Sequence, residues 1–395
     1  MIGVTSLMCG TMGQGDDVRY GKDNSKVTHH KARIGANIGP VVAWNMTKSC
    51  NLRCMHCYMD SENKKYEGEL TTEEAKSFID DLGAFNVPVL LFSGGEPLMR
   101  PDLFELAEHA KSKGIRCVIS TNGTLITPEV ARKIKDTGFV YVGISLDGVK
   151  ETHDKFRQKE GCFEAALEGV RNCVAVDQNV GLRFTINKHN FRDLPEIFDL
   201  IEKEDINRAC FYHLVYTGRG STMQDQDVTR QESREVMDYI MKRAKDFHER
   251  GIQKDILTVD NHCDGVYLYL KLLEEDPKRA EEILPLLKFN GGNRSGIGFA
   301  NVDNLGNVHP DQFSPEHIFG NVKERPFSEI WTDMTHPVLS GYKDRKPLMK
   351  GRCAICEWWD LCGGNFRTRA EAVHGDLWES DPACYLTDEE ISTRK

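Results

Sequence analysis

The sequence predicts an α/β protein: a parallel sheet, open or curled into a partial (β/α)6 TIM-type barrel, followed by a small cysteine-rich C-terminal module. Three observations predict it. Near-continuous apolar runs of strand length alternate with amphipathic helical stretches from about residue 40 to residue 230, the pattern of strands buried on both faces. Glycines and small polar residues collect at the end of each run, where folds of this kind keep their chemistry. From residue 291 the periodicity gives way to Gly, Asn, Pro, Trp and Cys, too little apolar pattern to fold on a large core without a staple.

Residues 1–39 read as an N-terminal extension. The first strand, 41–44, runs into a cysteine-bearing loop, and Thr71 with Glu74 has the spacing of a capping box that opens a helix. Residues 87–92 form the next strand, ending in Ser93-Gly94-Gly95-Glu96-Pro97. A third covers 117–120 and stops at Asn122-Gly123, after which Thr127-Pro128 starts a helix. Strands at 140–146, 182–186 and 209–215 complete the series, the first of them ending at Asp147-Gly148. This is short of the eight units of a closed barrel. The barrel is assigned to 40–230, a charged helical bridge to 231–290, and the cysteine-rich module to 291–395.

The 395 residues carry a net charge of -10 and a pI near 5.8, with 39% hydrophobic and 28% charged content. That profile suits a globular protein and gives no basic face for non-specific nucleic-acid binding. No run approaches the roughly 20 apolar residues of a membrane helix, and residues 1–22 lack an apolar run behind a basic start. The expectation is a cytoplasmic protein that binds neither nucleic acid nor membrane. Its thirteen cysteines are then not a disulfide framework.

Three of them, Cys50-x3-Cys54-x2-Cys57, follow the first strand. Structural zinc takes four ligands, and no neighbouring fourth is obvious apart from His56, which is squeezed between two of the cysteines. Three close thiolates suit an iron–sulfur cluster with one iron left open. Four more cysteines, Cys353-x2-Cys356-x5-Cys362 and then Cys384, supply a closed soft-ligand set for which zinc is a serious alternative.

The first loop resembles the C-x3-C-x2-C loop of the radical S-adenosylmethionine (SAM) superfamily, and the family's other landmarks follow in order. Gly94-Gly95-Glu96-Pro97 resembles its GGEP motif, in which the Glu96 carboxylate would pair with the ammonium group of the cofactor. Ser120 and Asn122 resemble the strand end that lines the nucleoside, and Ser145 and Asp147 fall where ribose hydroxyls are met. Arg157, in His153-Asp154-x2-Arg157, resembles the arginine that pairs with the methionine carboxylate; the alternative is a solvated surface arginine. The resemblance implies a [4Fe–4S] cluster on Cys50, Cys54, Cys57 and SAM, whose cleavage gives a 5′-deoxyadenosyl radical.

After such a barrel, Cys353, Cys356, Cys362 and Cys384 resemble an auxiliary-cluster module and imply a second [4Fe–4S] cluster. In the two-cluster form a further cysteine follows a Gly-x-Val-x-Pro turn; here Gly306-Asn307-Val308-His309-Pro310 is followed by Asp311, so only one cluster is expected. Cys263 is left unassigned. Stretches at both ends, among them Trp44-Asn45-Met46-Thr47, the run 291–298 and Asp381-Pro382-Ala383-Cys384-Tyr385, resemble the deacetylases of siroheme-dependent heme synthesis. That resemblance implies an iron-tetrapyrrole substrate, 12,18-didecarboxysiroheme, losing two acetate arms, with a reductant or electron-transfer protein as partner. Decarboxylation of Fe-coproporphyrin, heme d1 synthesis and peptide modification are the alternatives within the superfamily; an electron carrier or zinc module is the alternative outside it. Carboxylates on a substrate call for cations, for which Arg183, Lys188, Arg219 and Arg294 are candidates. His29, His30, His213 and His309 are candidates to ligate its iron.

Overall fold

In the computed structural model, which describes residues 1–13, 15–21 and 39–392, the strands are β1 (Ile2–Gly3), β2 (Val41–Asn45), β3 (Val89–Ser93) and β4 (Arg116–Thr121). They continue with β5 (Tyr141–Ser145), β6 (Val180–Ile186), β7 (Arg208–His213), β8 (Asp255–Val259), β9 (Phe299–Val302), β10 (Asn307–His309) and β11 (Gly320–Asn321). All belong to one 11-stranded sheet in the order β1-β8-β7-β6-β5-β4-β3-β2-β9-β10-β11. Strands β2 to β8 run parallel in chain order, and β9 joins β2 in parallel on its other side. Short antiparallel pieces finish both edges, β1 on β8 and β10 with β11 beyond β9.

The six apolar runs of the sequence are β2 to β7, and helices cross over between them as parallel pairing demands. The helix Thr72–Ala84 opens on a complete capping box: Thr71 accepts from the Glu74 amide, and Glu74 accepts from the Thr71 amide. Thr127 caps Pro128–Thr137 through the Val130 amide, with Pro128 in the first turn. Sheet and helices close on a core in which Trp44, Phe92, Phe184 and Phe211 have no exposed surface.

The segment 231–290, expected to be a helical bridge, holds the helix Arg230–Glu249 and then β8, which extends the parallel sheet past β7. Interrupted by Asp255 and Thr258 and set between charged helices, β8 offers a weak sequence signal. The tail from residue 291 shares the barrel's sheet, because β9 is bonded to β2. At the other end of the chain β1 pairs with β8 and buries Ile2, Val4 and Leu7 completely. No helix among the described residues is long and apolar enough to cross a membrane.

Candidate active site

The register sets Asn45 of β2 beside Ser93 of β3, so the cysteine loop and the Gly94-Gly95 turn leave the sheet side by side. A Cβ on Gly94 or Gly95 would strike the carbonyl of Thr47 or of Ser49, and Gly94 has φ 129°. Bare glycines let the Gly95 and Glu96 amides donate to those same carbonyls at 2.7 and 2.9 Å, which pins the loop against the sheet.

Cys50 and Cys54 are buried and Cys57 half-buried, and all three line one cavity at the C-terminal ends of the strands. With its open mouth the cavity encloses about 1010 Å³. Each sulfur has a donor aimed at it. The Leu52 amide meets Cys50 Sγ at 3.5 Å, the Ser61 amide meets Cys57 Sγ at 3.5 Å, and Arg157 Nη1 meets Cys54 Sγ at 3.4 Å. Burial pushes the Cys50 thiol up to about 12 and raises Cys54 as well, so a metal must displace the protons of both.

Of the residues expected around the cofactor, Gly94, Gly95, Ser120, Asn122, Ser145 and Arg157 line this cavity. Two others are turned away from it. Glu96 is fully buried: Oε1 accepts from the Thr121 hydroxyl at 2.7 Å and the Leu98 amide at 3.1 Å, and Oε2 accepts from the Asn122 amide at 2.8 Å. It clasps the ends of β3 and β4 together from behind. Asp147 is equally buried, accepting from the Thr185 amide at 2.6 Å and pairing with Arg157. Arg157 is therefore no surface arginine but a 7% exposed cation held between Asp147 and a triad sulfur. Burial opposes its charge, but Asp147 and Cys54 more than offset this and lift its pKa above the ordinary value. Its Nε has no partner among the described residues.

Arg183 and Arg219 also reach the cavity. Arg219 braces the cysteine loop, donating to the Cys54 carbonyl at 2.8 Å and pairing with Asp60 at 2.6 Å. Lys188 lies outside it, donating to the Asp225 carbonyl, and Arg294 is not on its wall. His213 is on the wall, but its Nε2 meets Asp264 at 3.1 Å and its Nδ1 meets Asn261 at 3.5 Å. Both nitrogens of His309 are engaged elsewhere, with the His317 carbonyl and with Asp303. His29 and His30 lie outside the described residues.

Several wall residues were missed in the sequence. His56, stacked on Phe156 with ring centroids 4.6 Å apart, is pushed down to about 4 by burial and is neutral at pH 7. Asp260 follows β8, as Asp147 follows β5, so the strand that was overlooked hid it. It has φ 64°, a carboxyl oxygen without a partner among the described residues, and a pKa pushed up to about 6 by burial. Gln312 and Phe313 come from the tail, where Phe313 meets the ring of Tyr58 edge-on at 5.3 Å and roofs the cavity. Only long-range folding could place them there.

Cys353, Cys356, Cys362 and Cys384 line a second cavity of about 440 Å³. Cys263, far away in sequence, joins them through a hydrogen bond to Cys384, its thiol 3.0 Å from Asn261 Oδ1. Asp311 is buried and lines neither cavity; its Oδ1 accepts from the Phe313 amide at 2.9 Å and the Ser314 hydroxyl at 3.1 Å. Arg369 ties the two regions together, pairing with Asp381 at 2.7 Å and donating to the Leu214 and Asp260 carbonyls at 3.1 and 2.6 Å.

Residues 44–201 match the family described as the Radical SAM superfamily. Over 394 residues, 99% of each chain, the sequence is 57% identical to Fe-coproporphyrin III synthase of Methanosarcina barkeri. It is 43% identical to pre-heme d1 synthase of Dinoroseobacter shibae, covering 90% of this chain and 88% of that one. The fold is similar to that of Streptococcus suis SuiB bound to S-adenosylmethionine, with a TM-score of 0.71 at 15% identity, over 90% of this chain and 80% of that chain. With three thiols and a glycine cradle opening on one cavity at the strand ends, the chain belongs to the radical SAM superfamily and is a radical SAM enzyme.

Proposed function

We propose that this enzyme removes two acetate side chains from 12,18-didecarboxysiroheme to give Fe-coproporphyrin III, as a cytoplasmic step of heme synthesis. The observation that carries this reading is the likeness to Fe-coproporphyrin III synthase along the whole chain, tail included, since a shared barrel alone would leave the tail unmatched. The cavity agrees, because the cations Arg183 and Arg219 reach it, as a substrate bearing carboxylates requires.

Cys50, Cys54 and Cys57 are assigned to a [4Fe–4S] cluster completed by SAM. That the three thiols line one cavity, each with an N–H donor at its sulfur, supports this assignment. When bound, the pair supplies one-electron cleavage of the sulfonium bond and a 5′-deoxyadenosyl radical. The Gly94-Gly95 backbone, Ser120, Asn122 and Ser145 hold the cofactor's polar edge, and Arg157 takes its carboxylate. Glu96 and Asp147 act from behind, one fixing the Asn122 amide and the other keeping Arg157 in place. Phe313 and the tail exclude water from above.

Cys353, Cys356, Cys362 and Cys384 would hold a second [4Fe–4S] cluster, which would supply electron transfer between substrate and an external reductant. Anaerobic incubation of reconstituted enzyme with didecarboxysiroheme, SAM and reductant tests the function. Mass analysis is expected to show loss of two acetate groups; loss of carbon dioxide instead would move the enzyme to a decarboxylase.

A further inference from the structure

Arg183 is the unmatched charge of the cavity. The register sets it on β6 between Ser145 of β5 and Cys210 of β7. A Cβ on Gly143 would come within 2.8 Å of Arg183 Cδ, so that glycine makes room for the arginine stem. The guanidinium lies 4.8 Å from the centre of the Tyr212 ring and faces the cavity. Arg157 has Asp147 and Arg219 has Asp60, but Arg183 makes no hydrogen bond or ion pair among the described residues.

No group around it pairs with it. Burial keeps protons on Tyr212, Tyr141 and Cys210. Asp260, on the same cavity, has its pKa pushed up to about 6 by burial, but its carboxyl makes no ion pair with Arg183. Arginine cannot shed its proton, and a half-buried cation without a counter-ion is costly to keep. A planar fork resting on an aromatic face is suited to grip a carboxylate through two parallel hydrogen bonds.

We propose that Arg183 binds a carboxylate of the substrate, so that one acid arm of the macrocycle is anchored against Tyr212 and the ring's orientation toward the radical is set. The proposal rests on the tetrapyrrole reading above and adds the residue that reads its periphery.

Anaerobic titrations followed by the porphyrin absorption band test it, with Fe-coproporphyrin III and its tetramethyl ester as probes. Wild-type protein is expected to bind the acid at least about tenfold more tightly than the ester. Arg183→Gln should weaken acid binding by about tenfold to a hundredfold and leave ester binding within about twofold, with thermal unfolding used to check the fold. Arg183→Lys, which keeps the charge and stem, should recover part of the loss; it also serves if the glutamine variant does not fold. Undiminished preference for the acid in Arg183→Gln would overturn the role of Arg183 while leaving the tetrapyrrole reading intact. A wild type that binds neither porphyrin would overturn both.

Discussion

The two thiol sites are built on different principles. The triad sits on a loop welded to the ends of parallel strands, and the fourth side of its sulfurs faces a large cavity. One of its donors is a guanidinium, Arg157, rather than a backbone amide. The C-terminal set rests on short helices, Gly351–Ile355 and Trp359–Cys362, with Asp381 just ahead of its last cysteine. There burial raises the thiols of Cys353, Cys356 and Cys362, and all four cysteines line one smaller pocket. Four sulfurs make a closed ligand set, whereas three sulfurs beside a cation and a larger cavity leave a position open. Open positions are where metal sites do chemistry, and closed ones hold structure or pass electrons.

The largest effect should come from breaking the open site. Cys54→Ala is expected to abolish 5′-deoxyadenosine formation under reducing conditions and to lower iron content by about half, measured by chromatography and iron analysis. Cys356→Ala separates the two sites, lowering iron while 5′-deoxyadenosine still forms, with the deacetylated product lost. If nucleoside cleavage vanished equally in both variants, the sites would not be functionally distinct.

Next in size is Asp147→Asn, which removes the partner of a buried guanidinium. The destabilisation should be about 3 kcal/mol in anaerobic denaturant titrations, and a loss below about 0.5 kcal/mol would show that Arg157 does not need Asp147. The smallest effect concerns the cavity's own carboxyl. Asp260 has a folded pKa of about 6 against an ordinary 3.8, so the native state binds its proton more tightly than the unfolded chain does. Its contribution to stability is full below pH 3.8 and is lost as pH rises through about 6. Asp260→Asn should therefore be more stable than wild type at pH 8, with the difference closing near pH 4. Thermal unfolding at the two pH values checks the sign.

Much of this was legible along the chain. Strands β2 to β7 announce themselves as apolar runs, and the capping box at Thr71 and the Thr127-Pro128 start mark helices, because these signals are local. β8 was hidden because Asp255 and Thr258 interrupt its apolar run, and Asp260 was hidden with it. Phe313 and Cys263 were invisible as site residues because each reaches its place only when distant segments pack.

By itself the sequence determined the thiol triad, the glycine cradle beside it and the family they belong to, since each depends on residues a few positions apart. The tertiary structure alone decided which polar side chains face the cavity. Glu96 and Asp147 turn inward to clasp the scaffold, while Arg157 and Arg183 turn toward the space a ligand would fill. A strand places its side chains on alternate faces, but what each one meets there is set by the register of its neighbours and by the tail folded across them.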